Sequence, residues 1–346
     1  MSAAETLTTE QTQRFVSIST LRGPILRRVS RSFFVSIFLL PKKLRNSVAL
    51  GYLLARASDT IADTTELPIE LRVENLQLLA RGIQGEGLRD AIVDLSAALS
   101  PLQKNESERA LIESLPSCLD WLEQSDDFER EQVRTVLGRI NRGQILDVER
   151  FPDPKQVTAL ETAAELDEYT YLVAGSAGEF WTRICFQQLR RFSGRGENEM
   201  LELGKRYGQG LQLINILRDA GDDLRSGRCY FPNEELAGAA LEPPQIVREP
   251  QRFLPIYRKW QEKAQQGIKA GIDYSNAVRN RRVRMATVLP ALIGARTLAL
   301  LRDAGGTVLH RHIKVSRKEV RSILTSLSSS LGSRSRIETL FRELSR

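Results

Sequence analysis

The sequence predicts an all-α fold, and three observations carry that prediction. Apolar residues recur at spacings of three and four along almost the whole chain, strand-like alternation hardly appears, and the proline- and glycine-marked breaks are too short to separate domains. The first long helical pattern is LRNSVALGYLLARASDTIA, residues 44–62, which begins just after Pro41. Breaks near Gly82 to Gly87, at Pro101 and from Pro152 to Pro154 mark loops in the next stretch. The segments AELDEYTYLVAGSAGEFWTRICF (164–186) and YGQGLQLINILRDAGDDL (207–224) carry the same period, and Pro232 and the interval from Pro243 to Pro250 mark further loops. No repeat of fixed period is present. The expected organisation is a polar tail over 1–20, one helical domain over 21–330 and a C-terminal tail over 331–346, frayed where SILTSLSSSLGSRSR is rich in serine.

At 346 residues the chain can enclose a pocket within a sizeable core without disulfides or structural metal. Cys118, Cys185 and Cys229 lie far apart with no CxxC or Cys/His ligand spacing, which reads as reduced thiols and speaks against a zinc site. Fifty Lys and Arg against 43 Asp and Glu give a formal charge of +7, an excess that suits nucleic acid, an anionic membrane or a phosphorylated substrate. The basic clusters, at Arg279, Arg281, Arg282 and Arg284 and again from His310 to Lys318, lack the interleaved aromatics of a single-strand-binding platform. Nucleic acid is therefore not expected, and both clusters read as solvated or lipid-facing patches, His310 and His312 included. The polar start MSAAETLTTEQTQRF is no signal peptide, and no run approaches the roughly 18–20 apolar residues of a membrane span. The expectation is a cytoplasmic protein, with any membrane contact peripheral, at the inner membrane surface.

Chemistry enters with two pairs of carboxylates. Asp59 and Asp63 project from one helical face about one turn apart, where like charges repel and require a counter-charge. The preceding VALGYLLA is apolar, so at least one side of this segment packs inside, and Arg56 supplies a cation one turn back. The second pair, Asp219 and Asp223, follows Gln212 and Asn215 at the same helical offsets. A Gln–Asn–Asp–Asp stripe in an otherwise apolar helix lines an interior cavity or faces ions, and hard oxygen ligands of this kind suit Mg²⁺. Spacing alone does not decide the matter, because Asp90 and Asp94 share it without any polar stripe around them. Two pairs, each beside an arginine (Arg56, Arg218) in an apolar helix, point to two facing metal sites.

Four longer motifs then stand in order: SRSFF at 30–34, YLLARASDTIAD at 52–63, YTYLVAGSAGE at 169–179 and QLINILRDAGDDLRSGRCYFP at 212–232. Together they resemble the squalene/phytoene synthase family, from about Ser30 to the basic segment after Gly306. The resemblance implies an isoprenoid (terpenoid) synthase fold with a central cavity between helices, and an enzyme that joins two prenyl diphosphates head to head with Mg²⁺. It implies Asp59, Asp63, Asp219, Asp223 and Asn215 as metal ligands. Contacts to diphosphate are implied for Ser30, Arg31, Ser32, Phe33, Tyr52, Arg56, Gln212, Asn215, Arg218 and Arg228, and also for Arg296 within PALIGARTLALL. Tyr169 is implied as the catalytic tyrosine of the first half-reaction, and Val173, Ala174, Gly175, Ala177 and Gly178 as small residues that let prenyl chains pass. Gly143 and Asp147 resemble a GxxxD element on another cavity helix.

Such a site needs cations for a leaving diphosphate and a dry, aromatic-lined cavity for a carbocation. Within the family, the single acid at the first position of RASDTIAD resembles squalene synthases, and so does HIKVSRKEV (312–320), where Lys314, Arg317 and Lys318 become candidate contacts to NADPH. There is no Rossmann glycine fingerprint, so NADPH would share the cavity. The expected function is that of a squalene synthase acting on farnesyl diphosphate through presqualene diphosphate. The alternatives are a dehydrosqualene or phytoene synthase working without NADPH and, more remotely, a basic helical protein that binds nucleic acid or acidic lipid.

Overall fold

The computed structural model describes residues 16–30 and 33–346; Arg31 and Ser32, both expected at a diphosphate, lie outside the described residues, as does the side chain of Phe33. The chain enters through α1 (Ile18–Thr20), a π-helical stretch (Leu21–Ile25), α2 (Leu26–Ser30) and α3 (Phe33–Leu39). Pro41 then stands immediately before α4 (Lys42–Ala62), a position its fixed φ suits. Next come α5 (Ile69–Gln84), α6 (Arg89–Leu99), α7 (Glu106–Glu113) and α8 (Leu115–Glu123), with α5, α7 and α8 packed on α4. The long α9 (Asp127–Arg150), capped by the Asp126 side chain, lies along α4 and α5. Helix α10 (Ala163–Thr170) passes through a π-helical turn, Tyr171–Gly175, into α11 (Ser176–Gln188).

The most extensive pairing joins α12 (Glu197–Arg225) to α14 (Pro250–Ala277), with the short α13 (Asn233–Gly238) between them in sequence. Glycines set this pairing: a Cβ built on Gly210 would lie 2.7 Å from the Gly267 Cα, and one on Gly267 would lie 2.6 Å from the Gly210 Cα. The two backbones touch there, and no larger residue fits. Helix α15 (Arg281–Ala304) packs on α14, α12 and α3, and α16 (Arg317–Ser329) and α17 (Arg334–Leu344) complete the chain.

Two apolar clusters result. One gathers Leu53 and Leu54 of α4, Leu76 and Leu79 of α5, and Leu137 of α9; the other gathers Leu213 and Leu217 of α12, Tyr257 and Trp260 of α14, and Leu292 of α15. The periodicity read from the sequence is thus satisfied by helices that bury one face each.

Three details differ from expectation. A two-residue parallel sheet joins β1 (Thr158–Ala159) to β2 (Arg228–Cys229), in the register Thr158↔Arg228 and Ala159↔Cys229. Strands that short leave no alternation to read, and the turn into β2 uses Gly227 at φ +82. The frayed tail expected over 331–346 is instead mostly α17, which buries Ile337 and Leu340 against the second cluster. The serine-rich composition concealed that amphipathic repeat. Finally, Arg281–Leu309 is long and apolar enough to cross a bilayer, contrary to the reading that no such run exists, but 72% of its most apolar window is buried. It packs as a core helix; the scattered arginines hid its length.

Candidate active site

The carboxylates lie at one end of an apolar cavity, and two helices form both. On α4, Val48, Gly51, Tyr52 and Ala55 line a cavity of about 390 Å³, within the range for small-molecule sites. One turn further along come Arg56 and Asp59, with Asp63 as the C-cap residue. On α12, Gly204, Tyr207, Gly208 and Leu211 line the same cavity, and Gln212, Asn215, Asp219 and Asp223 follow. At 1.5 Å per residue, about 12 Å of helix separates Gly51 from Asp59, and about 12 Å separates Leu211 from Asp219. A ligand with an apolar chain and an anionic head would fit along both helices in one direction.

The ionic end is built as follows. Arg56 pairs with Asp59 and also reaches Glu108 Oε1 at 2.5 Å through its Nη2. Gln144 Nε2 of α9 approaches the other Asp59 oxygen at 3.4 Å. Arg218 donates to Asp219 through two nitrogens, at 2.8 and 2.5 Å. Asn215 Nδ2 donates to Gln212 Oε1 at 3.2 Å, so the polar stripe is present as expected. Arg228, held by the small sheet, places Nη2 3.1 Å from Asp223 Oδ1.

Arg228 also favours the charged forms of Asp63 and Asp147, so one carboxylate of each pair and Asp147 lie within its field. Asp63, by contrast, has no side-chain hydrogen bond or ion pair among the described residues. Its side chain is exposed, although much of the protein's mass lies nearby. Burial and the neighbouring Asp59 charge push its carboxyl up to about 7 against the pull of Arg228 and Arg56. Burial likewise raises Asp223 to about 7, with Arg228 opposing and Asp219 and Asp147 adding to the rise. Asp59 and Asp147 are shifted upward too, each chiefly by burial. The end of the cavity is therefore short of positive charge. The decoy pair, Asp90 and Asp94, is exposed on α6.

Tyr169 lies buried at the end of α10, two residues before the π-helical turn, a distortion frequent at functional sites. Its ring stacks on Tyr230, with centroids 5.1 Å apart, and Tyr230 donates its hydroxyl to Asp147 Oδ1 at 2.7 Å. Burial, followed by the charge of Asp147, raises the Tyr169 phenol well above its ordinary value, so it stays protonated.

Other expected residues are placed differently. Ser30 is buried and donates its hydroxyl to the Leu26 carbonyl at 2.5 Å. Arg296 pairs at 2.9 Å with Glu319, which also closes the capping box that opens α16. Tyr52 lines the cavity and donates to the Val29 carbonyl at 3.3 Å. Val173, Ala174, Ala177 and Gly178 line the cavity, whereas Gly175 serves packing, since a Cβ there would lie 3.0 Å from Gln209. Lys314, Arg317 and Lys318 are exposed, with no ion-pair partner among the described residues.

Sequence reasoning missed four residues of this site. Glu108 carries no motif, Gln144 lies inside the GxxxD element, and Tyr230 sits in CYFP at the edge of the longest motif. His312, read as part of a solvated patch, has Nδ1 3.5 Å from Asp222 and 3.9 Å from Asp219, which brings the basic segment beside the second pair.

The squalene/phytoene synthase family model matches residues 26–319. A squalene synthase of Eremothecium gossypii is 30% identical over 225 residues, covering 61% of this chain and 45% of that protein. The squalene synthase of Saccharomyces cerevisiae is 24% identical over 298 residues, covering 85% and 63%. The chain thus matches about half to two thirds of the length of these two proteins. A presqualene diphosphate synthase of Rhodopseudomonas palustris is 27% identical over 267 residues, covering 76% of this chain and 79% of that protein. Among solved structures, TcSQS in complex with E5700 superposes at a TM-score of 0.73 with 19% identity, covering 95% of this chain and 97% of the other. A dehydrosqualene synthase complex superposes at 0.64 with 20% identity, covering 91% and 96%. At those identities the two structures show the shared fold.

Proposed function

Because the chain belongs to the squalene/phytoene synthase family, we propose that it is a prenyltransferase, a squalene synthase that joins two farnesyl diphosphates head to head. Presqualene diphosphate is the intermediate, and NADPH-dependent reduction gives squalene. The observation that carries this reading is the pair of helices, α4 and α12, that run from the walls of one apolar cavity to carboxylates sharing Arg228. Chain and head group are recognised together, twice.

Asp59, Asp63, Asn215, Asp219 and Asp223 would hold Mg²⁺, their hard oxygen donors being of the kind that suits it; among the described residues no three carboxylates are gathered closely enough to hold a metal unaided, so diphosphate oxygens would complete the set. Bound there, Mg²⁺ supplies neutralising charge for a diphosphate leaving group. Arg56, Arg218 and Arg228 orient the head groups, and the cavity-lining rings of Tyr52, Phe180, Trp181 and Tyr207 present aromatic surface to cationic carbon. The protonated Tyr169 serves as donor, and released diphosphate is the better base for the proton lost on ring closure. Lys314, Arg317 and Lys318 are exposed, have no ion-pair partner among the described residues and follow His312 in sequence, and they suit the phosphates of NADPH. That cofactor supplies hydride.

A second reading ends the reaction at presqualene diphosphate, and the Rhodopseudomonas palustris relative favours it by matching over most of its own length. Product analysis after incubation with farnesyl diphosphate and Mg²⁺, with and without NADPH, separates the cases. Squalene formed only with NADPH supports the proposal. Accumulation of presqualene diphosphate under both conditions selects the second reading, and dehydrosqualene under both defeats each. Asp59→Asn and Asp219→Asn should each remove most turnover.

A further inference from the structure

The short helix α3 has two unlike faces. Ser36 and Ile37, with Leu40 just beyond, line the apolar cavity. Val35 and Phe38 face solvent, 38% and 63% exposed, and are two of only four exposed large hydrophobic residues among the described residues. Phe34 stacks on Phe38 with centroids 6.3 Å apart and extends the patch. Its exposure is built into the backbone: Arg45 donates to the Phe38 carbonyl at 2.8 Å and the Leu40 carbonyl at 2.7 Å, with its guanidinium 5.2 Å from the Phe38 ring centre. A fixed aromatic side chain held in water forgoes most of its transfer free energy.

Charge surrounds the patch on one side of neutrality only. Arg27, Arg28, Lys42 and Lys43 flank α3, all exposed and without ion-pair partners among the described residues. Across the cavity, Arg282 is exposed one turn before the cavity-lining Ala286. No Asp or Glu occurs from Val16 to Ser58. A second copy of the chain would have to bring these cations against themselves, whereas an anionic lipid surface complements both the apolar tip and its cationic rim.

We infer that α3 docks the protein on an anionic bilayer. Phe38 and Val35 enter the boundary between headgroups and acyl chains, and Arg27, Arg28, Lys42 and Lys43 meet lipid phosphates. The helix that meets the membrane is then the one that walls the cavity, so an apolar chain passes between lipid and cavity beneath α3. This last step deepens the catalytic reading; the docking itself does not depend on it.

The test is sedimentation of the full chain, without substrate, on phosphatidylcholine vesicles with and without phosphatidylglycerol. Binding only to the anionic vesicles, weakened by salt, is expected. Phe38→Ser should weaken it about tenfold, and Lys42→Ala with Lys43→Ala roughly 25-fold. Leu331→Ser, at an exposed hydrophobic residue outside α3, should leave binding unchanged. Phe38→Trp should give a blue-shifted emission on anionic vesicles alone, a signal that requires the folded chain at the membrane. Equal binding of wild type and Phe38→Ser, an equal loss with Leu331→Ser, or conversion of a wild-type dimer to monomer by Phe38→Ser would overturn the assignment. Turnover is not measured, so a wrong product assignment leaves this result standing.

Discussion

Replacing Asp63 by Asn should stabilise the metal-free protein, although Asp63 is among the residues assigned to metal. Its carboxyl is raised from 3.8 to about 7 by burial and by Asp59. A shift of that size corresponds to about 4 kcal/mol at full weight. Asp63 is more than a third exposed, so screening reduces this to roughly 1–2 kcal/mol. A folded carboxyl pKa above the unfolded value means that the native state binds the extra proton. Stability is then greatest below about 3.8, falls as pH rises toward about 7, and is flat above. At pH 8 the full penalty is present, and the neutral, nearly isosteric amide removes it. Thermal denaturation at pH 8 in chelator should show Asp63→Asn melting roughly 2–4 °C above wild type. At pH 5 the difference should shrink, and in Mg²⁺ with inorganic diphosphate the order should reverse, since only wild type retains the ligand. An Asp63→Asn protein that melts at or below wild type at pH 8 in chelator would refute the view that this end of the cavity lacks positive charge.

Arg228→Gln removes the cation shared by Asp63, Asp147 and Asp223; stability should fall by about 3 kcal/mol at pH 8 and partly return at pH 6, as the carboxyls protonate, in the same denaturation assay. Tyr230→Phe leaves the buried Asp147 without its hydroxyl donor, so a loss of about 1–3 kcal/mol in urea denaturation is expected, with kcat reduced more than KM. Ala177→Phe projects a ring into the cavity and should cut farnesyl turnover by 100-fold or more, on the order of the effect of misplacing a substrate, while the circular dichroism spectrum is preserved. Gly210→Ala puts a methyl group into the contact of α12 with α14 and should lower the melting temperature by several degrees, since overpacking costs roughly 1–3 kcal/mol.

How much of this the chain discloses by itself depends on the range of the interaction. The helix of Asp59 and the stripe from Gln212 to Asp223 are local features with a period of three to four residues, so they can be read from the letters. Arg228 was attached to the site only through its motif; its grip on both pairs depends on β1 and β2, strands of two residues each that leave no pattern. Glu108 reaches Arg56 from 52 positions away, and Gln144 reaches Asp59 from 85; nothing local marks them. Ser30 and Arg296 owe their candidacy to motif alone; the Ser30 hydroxyl bonds a backbone carbonyl and Arg296 pairs with the capping Glu319, contacts that no local pattern predicts.

The decoy pair sharpens the physical criterion for a carboxylate site. Asp90 and Asp94 repeat the spacing of Asp59 and Asp63, yet on an exposed face water screens their repulsion and no cation is required. Asp63, although itself exposed, and the half-buried Asp223 sit four residues from their own partners and within the field of a third carboxylate, Asp147. Arg228 and Arg56 both pull on Asp63, and Arg228 pairs with Asp223, yet both carboxyls stay raised and Asp63 has no side-chain partner among the described residues. Convergence of carboxylates beyond the cations the chain supplies, at the end of an apolar cavity, is what calls for a divalent ion and an anionic head group together.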